Sequence, residues 1–141
     1  MTELQQKALT VLLIEDNSAD AFLTCETLKD SMVPNVVHVV RDAAKAFGQL
    51  LGKVGGAGIH VPDLILLDLN LPVMDGFGFL AEVGKDDRLK DIPVFVLSAS
   101  SARVDIEKAR DLGARGYFVK PLDLDEFETQ LSELFKVEGG E

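Results

Sequence analysis

The chain has 141 residues, enough for one domain with a substantial core. Fourteen Lys and Arg against 24 Asp and Glu leave a formal net charge of −10, which argues against a nucleic-acid partner because phosphates would be repelled. Cys25 is the single cysteine, so a disulfide or cysteine metal cluster within the chain is excluded; with no signal-like or membrane-length apolar run, a reducing, cytoplasmic setting and no membrane contact are expected.

The first buried strand is expected at Thr10 to Ile14, ending on Glu15-Asp16-Asn17-Ser18. A helix from about Ser18 to Ser31 should follow, capped near Asn17 or Asp16, with Leu23 and Leu28 turned inward. Val36 to Val40 reads as a second strand, apolar except for His38, which fits a strand edge better than a metal ligand because no partner lies at ligand spacing. Asp42 then caps a helix whose apolar residues (Ala43, Ala46, Phe47, Leu50, Leu51 and Val54) keep the helical period for three turns. Gly55, Gly56 and Gly58 make Lys53 to Pro62 a flexible connection that carries His60.

Leu64 to Leu67 is an unbroken apolar run, as in a strand buried on both faces of a parallel sheet. It ends on Asp68, followed by Asn70 and by Pro72, which cannot continue a ladder. A helix from Asp75 to about Lys85 and a charged connection to Asp91 lead to a fourth strand, Ile92 to Leu97, which stops at Ser98-Ala99-Ser100-Ser101. A further helix runs through Leu112 with Gly113 as its C-terminal cap. Arg115 to Val119 is the fifth strand, ended by Lys120-Pro121. Asp123 with Glu126 resembles a capping box for the last helix, whose buried stripe is Leu124, Phe127, Leu131, Leu134 and Phe135; the tail from Glu138 to Glu141 should fray. Five strands alternating with five helices predict an α/β fold, a doubly wound parallel sheet with right-handed crossovers, in a single domain with its core at about 10–137.

In such a sheet, of order 2-1-3-4-5, ligands bind outside the carboxyl ends of the strands, where strands 1 and 3 are neighbours. Glu15, Asp16 and Asp68 then converge on one crevice. Like charges so close require a proton or a cation among them. Hard oxygen donors, with no His or Cys in the cluster, point to Mg²⁺ rather than zinc or copper. With the cation present, Asp68 is a credible nucleophile toward a phosphoryl group, giving an acyl phosphate. Lys120 can neutralise one phosphoryl oxygen and the Ser98 hydroxyl can donate to another. Each residue alone has a plain explanation as a loop acid, a cap or a solvated lysine; all of them at strand ends together do not.

The motifs VLLIEDN, LILLDLNLPVMDG, VFVLSAS and GYFVKP, in this order and spacing, make the chain similar to the receiver domain of two-component response regulators from Thr10 to about Val137. The resemblance implies a flavodoxin-like (βα)5 fold with Asp68 as phospho-acceptor, taking its phosphoryl group from the phosphohistidine of a sensor histidine kinase. It implies Asp16, Asp68 and the backbone carbonyl of Asn70 as Mg²⁺ ligands, with Glu15 acting through a metal-bound water. Ser98 takes the family's hydroxyl position and Lys120 its lysine position, with a cis Lys120-Pro121 bond. Tyr117 takes the position of the aromatic switch residue, which turns inward as the hydroxyl moves toward the phosphate. Ser98 stands where Thr is commoner in the family.

The long connection before the central strand, the DLNLP run and the short chain look like the small regulators that partner bacterial phytochrome kinases. Without an output domain, such a chain is expected to signal by contact with a downstream protein or to pass the phosphoryl group to a phosphotransfer protein. Lys108, Arg110 and Arg115 beside Asp111, Asp125 and Glu128 would suit a homodimer through the fourth helix, fifth strand and fifth helix. The competing reading is a metal-dependent phosphohydrolase with Asp68 as nucleophile. Such enzymes want a second Asp two residues on, where this chain has Asn70. A flavodoxin-like cofactor binder would need a phosphate-cradling loop where Glu15-Asp16 stands.

Overall fold

The computed structural model describes residues 8–55 and 61–136. Five strands, β1 (Leu9–Ile14), β2 (Asn35–Val40), β3 (Leu64–Leu67), β4 (Val94–Ser98) and β5 (Gly116–Val119), form one sheet in the order β2-β1-β3-β4-β5. Every pairing is parallel. Helices α1 (Ser18–Lys29), α2 (Ala43–Gly55), α3 (Gly76–Lys85), α4 (Arg103–Asp111) and α5 (Leu124–Lys136) alternate with the strands. This is the expected doubly wound architecture, and the central strand shows why the chain adopts it.

All four residues of β3 are buried. Their side chains alternate across the sheet. Leu64 and Leu66 join Val11, Leu13, Phe95, Leu97 and Phe118 on the face covered by Leu28 of α1 and by Phe127 and Leu131 of α5. Ile65 and Leu67 join Leu12, Ile14, Val94 and Val96 on the other face, against Leu50 of α2, Phe79 and Val83 of α3 and Ala109 of α4. Burying each such side chain contributes about 1.5–3 kcal/mol before conformational entropy is set against it. A strand with two wet faces could not have held an acid in place at its end; one fixed on both sides can.

Asn17 caps α1 by accepting from the Asp20 N–H, and Asp75 caps α3 by accepting from the Gly78 N–H. Gly113 closes α4 at φ 108°, a left-handed conformation suited to glycine. The Asp123 side chain accepts from the Glu126 N–H at 3.0 Å, the first half of the expected capping box. His38 lies exposed on edge strand β2, in keeping with an edge residue.

Leu23 departs from expectation. It is 55% exposed, whereas Ala21, Thr24 and Leu28 form the buried face of α1. Leu23 and Leu28 are five positions apart, roughly 140° around a helix, so both could not face the sheet. Strand β4 begins at Val94 rather than Ile92, because the Ile92 N–H is spent on the Leu89 carbonyl and Pro93 has none to give. Helix α1 stops at Lys29, not Ser31. His60, the Val54 side chain and the tail Glu138 to Glu141 lie outside the described residues.

Candidate functional site

The residues singled out at strand ends are set in place by the ladder itself. The Glu15 N–H donates to the Val40 carbonyl at 3.0 Å, the Asp68 N–H to Ile14 at 3.0 Å and the Lys120 N–H to Ser98 at 2.8 Å. Backbone pairing thus extends one residue past each strand and fixes where these side chains emerge. Gly76, the first residue of α3, packs so closely that a Cβ there would meet the Asp68 carbonyl oxygen at 2.7 Å and Leu69 Cα at 2.6 Å. Residue 76 must therefore be glycine for α3 to sit against the loop that carries Asp68.

Glu15, Asp16 and Asp68 each bring a carboxylate oxygen within 4.8 Å of the others. Glu15 and Asp68 are buried, at 1% and 4% exposure. Lys120 Nζ reaches into the same crevice, 2.7 Å from Glu15 Oε1, 2.9 Å from Asp20 Oδ2 and 3.5 Å from Asp68 Oδ2. Asp68 Oδ1 accepts from the Asn70 N–H at 3.1 Å, and Glu15 Oε2 from the Asn17 N–H at 3.2 Å. The Lys120-Pro121 bond is cis, as expected.

Burial, the largest influence, pushes the Glu15 carboxyl up to about 7, against the pull of Lys120 and with the push of Asp68. Burial would also lower the Lys120 ammonium, but Glu15, Asp20 and Asp68 outweigh it and hold that group above its ordinary value. Of this pair, Lys120 stays charged and Glu15 is the group whose protonation changes near neutrality.

The site has the composition that a hard divalent cation requires. Its donors are carboxylate oxygens, and it contains no His or Cys. Glu15 Oε1, although close to the lysine, is buried without an aligned hydrogen bond. The Lys120 ammonium that meets it is shared with Asp20 and Asp68, so negative charge outnumbers positive in the crevice, and a cation among the three acids would offset the excess.

Ser98 is fully buried at the end of β4, and its Oγ accepts from the Ser100 N–H at 3.1 Å. Tyr117 is half-buried, packed against the core under α4, and its hydroxyl donates to the Ser100 carbonyl at 2.9 Å. Ser100 therefore joins the two expected switch residues, and its own hydroxyl donates to Asp105 in the first turn of α4 at 2.6 Å. Reading the chain alone missed Ser100, Asp20 and Arg41, whose guanidinium donates to the Asp16 carbonyl. Asp20 reads in the chain only as an acid in the first turn of a helix, and its partner Lys120 is 100 residues away.

A family model described as the response regulator receiver domain matches residues 11–132. The chain belongs to the response regulator receiver domain family. Response regulator Rcp1 of Synechocystis sp. is 39% identical over 132 residues, covering 92% of this chain and 84% of that one. The crystal structure of the phosphorylated cyanobacterial phytochrome response regulator RcpA is 40% identical, with a TM-score of 0.73 over 92% of this chain and 93% of its own. The Mn²⁺-bound form of Rcp1 is 36% identical, with a TM-score of 0.72 over 92% and 95%. The receiver fold with its Glu15–Asp16–Asp68 cluster is consistent with the phospho-accepting, cation-binding site of response regulators, and it makes the protein a signalling phospho-acceptor rather than an enzyme acting on external substrates. No helix among the described residues is long and apolar enough to cross a membrane.

Proposed function

We propose that this receiver takes a phosphoryl group from the phosphohistidine of a sensor histidine kinase onto the Asp68 carboxylate. The P–N bond to the imidazole breaks as a P–O bond to Asp68 forms, and the imidazole leaves. The observation that carries this reading is the convergence of buried Asp68 with Glu15, Asp16 and the Lys120 ammonium at the carboxyl end of the sheet. Asp16, Asp68 and the Asn70 backbone carbonyl would hold Mg²⁺, with Glu15 acting through a bound water. When bound, the ion offsets the charge that otherwise keeps an anionic phosphoryl group away from three carboxylates.

The chain's own residues do the rest. Asn70 fixes Asp68 by donating to Oδ1, so that the carboxylate is oriented before transfer. Lys120 supplies positive charge to one phosphoryl oxygen, and the Ser98 hydroxyl donates to another once it turns from the Ser100 N–H. Because Ser100 also accepts from Tyr117, that rotation bears on the ring and on the start of α4 through Asp105. A local charge change thereby biases the outer face of α4, β5 and α5.

The likeness to Rcp1 and to the phytochrome regulator RcpA supports a phytochrome-type kinase as the donor. The output is contact with a downstream protein or a phosphotransfer protein in the cytoplasm, with homodimerisation through the α4-β5-α5 face. Lys108, Arg110, Arg115, Asp111 and Asp125 remain the charges that such a pairing would use. Glu128 is removed from that set, because its carboxylate accepts from the Ser31 hydroxyl and the Met32 N–H across the domain.

Intact mass after incubation with acetyl phosphate and Mg²⁺ tests the assignment, with Asp68→Ala alongside. The parent is expected to gain one phosphoryl group and the variant none. An unmodified parent, or equal labelling of the variant, would refute it.

A further inference from the structure

The contacts of Lys120 are unequal in a way that the acceptor role of Asp68 does not explain. A lysine ammonium has three protons to donate. Here its two short contacts go to Glu15, at 2.7 Å, and to Asp20, at 2.9 Å, while Asp68 is left at 3.5 Å. Asp20 is well placed to compete. Its backbone N–H is fixed to the Asn17 cap, and the helix that carries it is anchored in the core by Ala21, Thr24 and Leu28. The Asp20 carboxylate is thus a stationary point in the first turn of α1, with its side chain 39% exposed.

Resting on the phospho-acceptor reading above, we infer that Asp20 is a positioning residue for Lys120: it holds the ammonium on the α1 side of the crevice and so competes with the phosphoryl group on Asp68 for the same cation. To reach a phosphoryl oxygen, the lysine must move toward Asp68 and away from Asp20. Asp20 therefore weakens the phosphorylated state. The pairing differs from the metal cluster in that Asp20 faces the lysine, not the three acids that bring their oxygens together.

The test uses the full chain with Mg²⁺ and beryllofluoride, a stable stand-in for the phosphoryl group, in three versions: the parent, Asp20→Asn and Glu26→Gln. Glu26 lies on the same helix and pairs with Lys29, so its variant removes one charge without touching Lys120. Calorimetry gives the affinity, and the ¹⁵N–¹H resonance of the Lys120 ammonium reports where the lysine rests. Asp20→Asn is expected to bind beryllofluoride about threefold tighter, the scale of a partly exposed ion pair, and to shift the lysine resonance before any beryllofluoride is added. Glu26→Gln should match the parent in both. Unchanged or weaker binding by Asp20→Asn, an equal gain in Glu26→Gln, or an unmoved lysine resonance overturns the inference while leaving Asp68 as the acceptor. Failure of the parent itself to bind beryllofluoride overturns both.

Discussion

A methyl group added at Gly76 should damage this protein, while the same methyl group at Gly48 should help it. The Cβ of alanine at residue 76 would lie 2.6 Å from Leu69 Cα, 2.7 Å from the Asp68 carbonyl oxygen and 2.9 Å from a Leu69 methyl. Two of those three atoms are backbone, in a loop pinned by the Asp68 N–H on Ile14 and by the Gly76 N–H on the Leu69 carbonyl. The helix must therefore move outward or the loop must shift. Overpacking of this kind costs typically about 1–3 kcal/mol, and the upper end applies where backbone is the obstacle. Gly48 lies within α2, exposed, with nothing within 4 Å of a Cβ. There alanine gains about 1 kcal/mol of helix propensity. In urea, with a slope of about 2 kcal/mol per molar, the Gly76→Ala midpoint should fall by about 1.5 M and that of Gly48→Ala rise by about 0.5 M. Gly76→Ala should also lose affinity for Mg²⁺, because the displaced backbone carries Asp68. Equal midpoints for the two variants would refute the packing argument, as would a stable Gly76→Ala with parental metal binding.

Val73 sits at φ 65°, fully exposed, in the loop between Asp68 and α3. A β-branched residue is strained there, so Val73→Asn should raise stability by about 1 kcal/mol, visible as a higher thermal midpoint; a lower one would contradict the strain. Because folding raises the Glu15 carboxyl to about 7, the folded chain holds a proton that the unfolded chain has already lost. Without metal, stability should therefore fall as pH rises from about 4.5 toward 7, with a slope approaching 1.4 kcal/mol per pH unit from this group. Glu15→Gln should flatten that dependence in denaturant titrations across the window, and an unchanged slope would count against it. Phe127 packs edge-on against Phe95, with ring centroids 6.1 Å apart, and is buried. Truncation to alanine should cost about 3–5 kcal/mol in unfolding free energy, and a loss below 1 kcal/mol would show that α5 can collapse into the gap.

What could be read from the chain depended on how local the cause was. The buried strands were legible because β3 and β4 are covered on both faces and so carry unbroken apolar runs, Leu64 to Leu67 and Val94 to Leu97. Asn17 and Gly113 were legible as caps because a helix end needs a side-chain acceptor or a left-handed residue at a fixed offset, whereas Asp75, expected as the first helical residue, proves to be the cap. The convergence of Glu15, Asp16 and Asp68 followed from strand order, which alternation of strands and helices restricts to few solutions. Asp20 was not legible: its partner Lys120 is 100 residues away, and an acid in the first turn of a helix has a sufficient local explanation in the helix dipole. The same holds for Glu128, which looked free for a partner but is spent on Ser31 and Met32 across the domain. Leu23 failed for a different reason. On α1 the apolar residues do not mark one face, and the buried positions include Ala21 and Thr24 while Phe22 and Leu23 face outward.

The claim on which the rest depends is that three crowded carboxylates require a divalent ion before one of them can accept a phosphoryl group. Calorimetric titration of Mg²⁺ into the metal-free chain addresses it directly, with Asp16→Asn and Asp68→Asn as comparisons. One saturable site in the parent, lost or severely weakened in both variants, is the predicted result. No heat of binding in the parent, or the same affinity in all three proteins, would contradict the account.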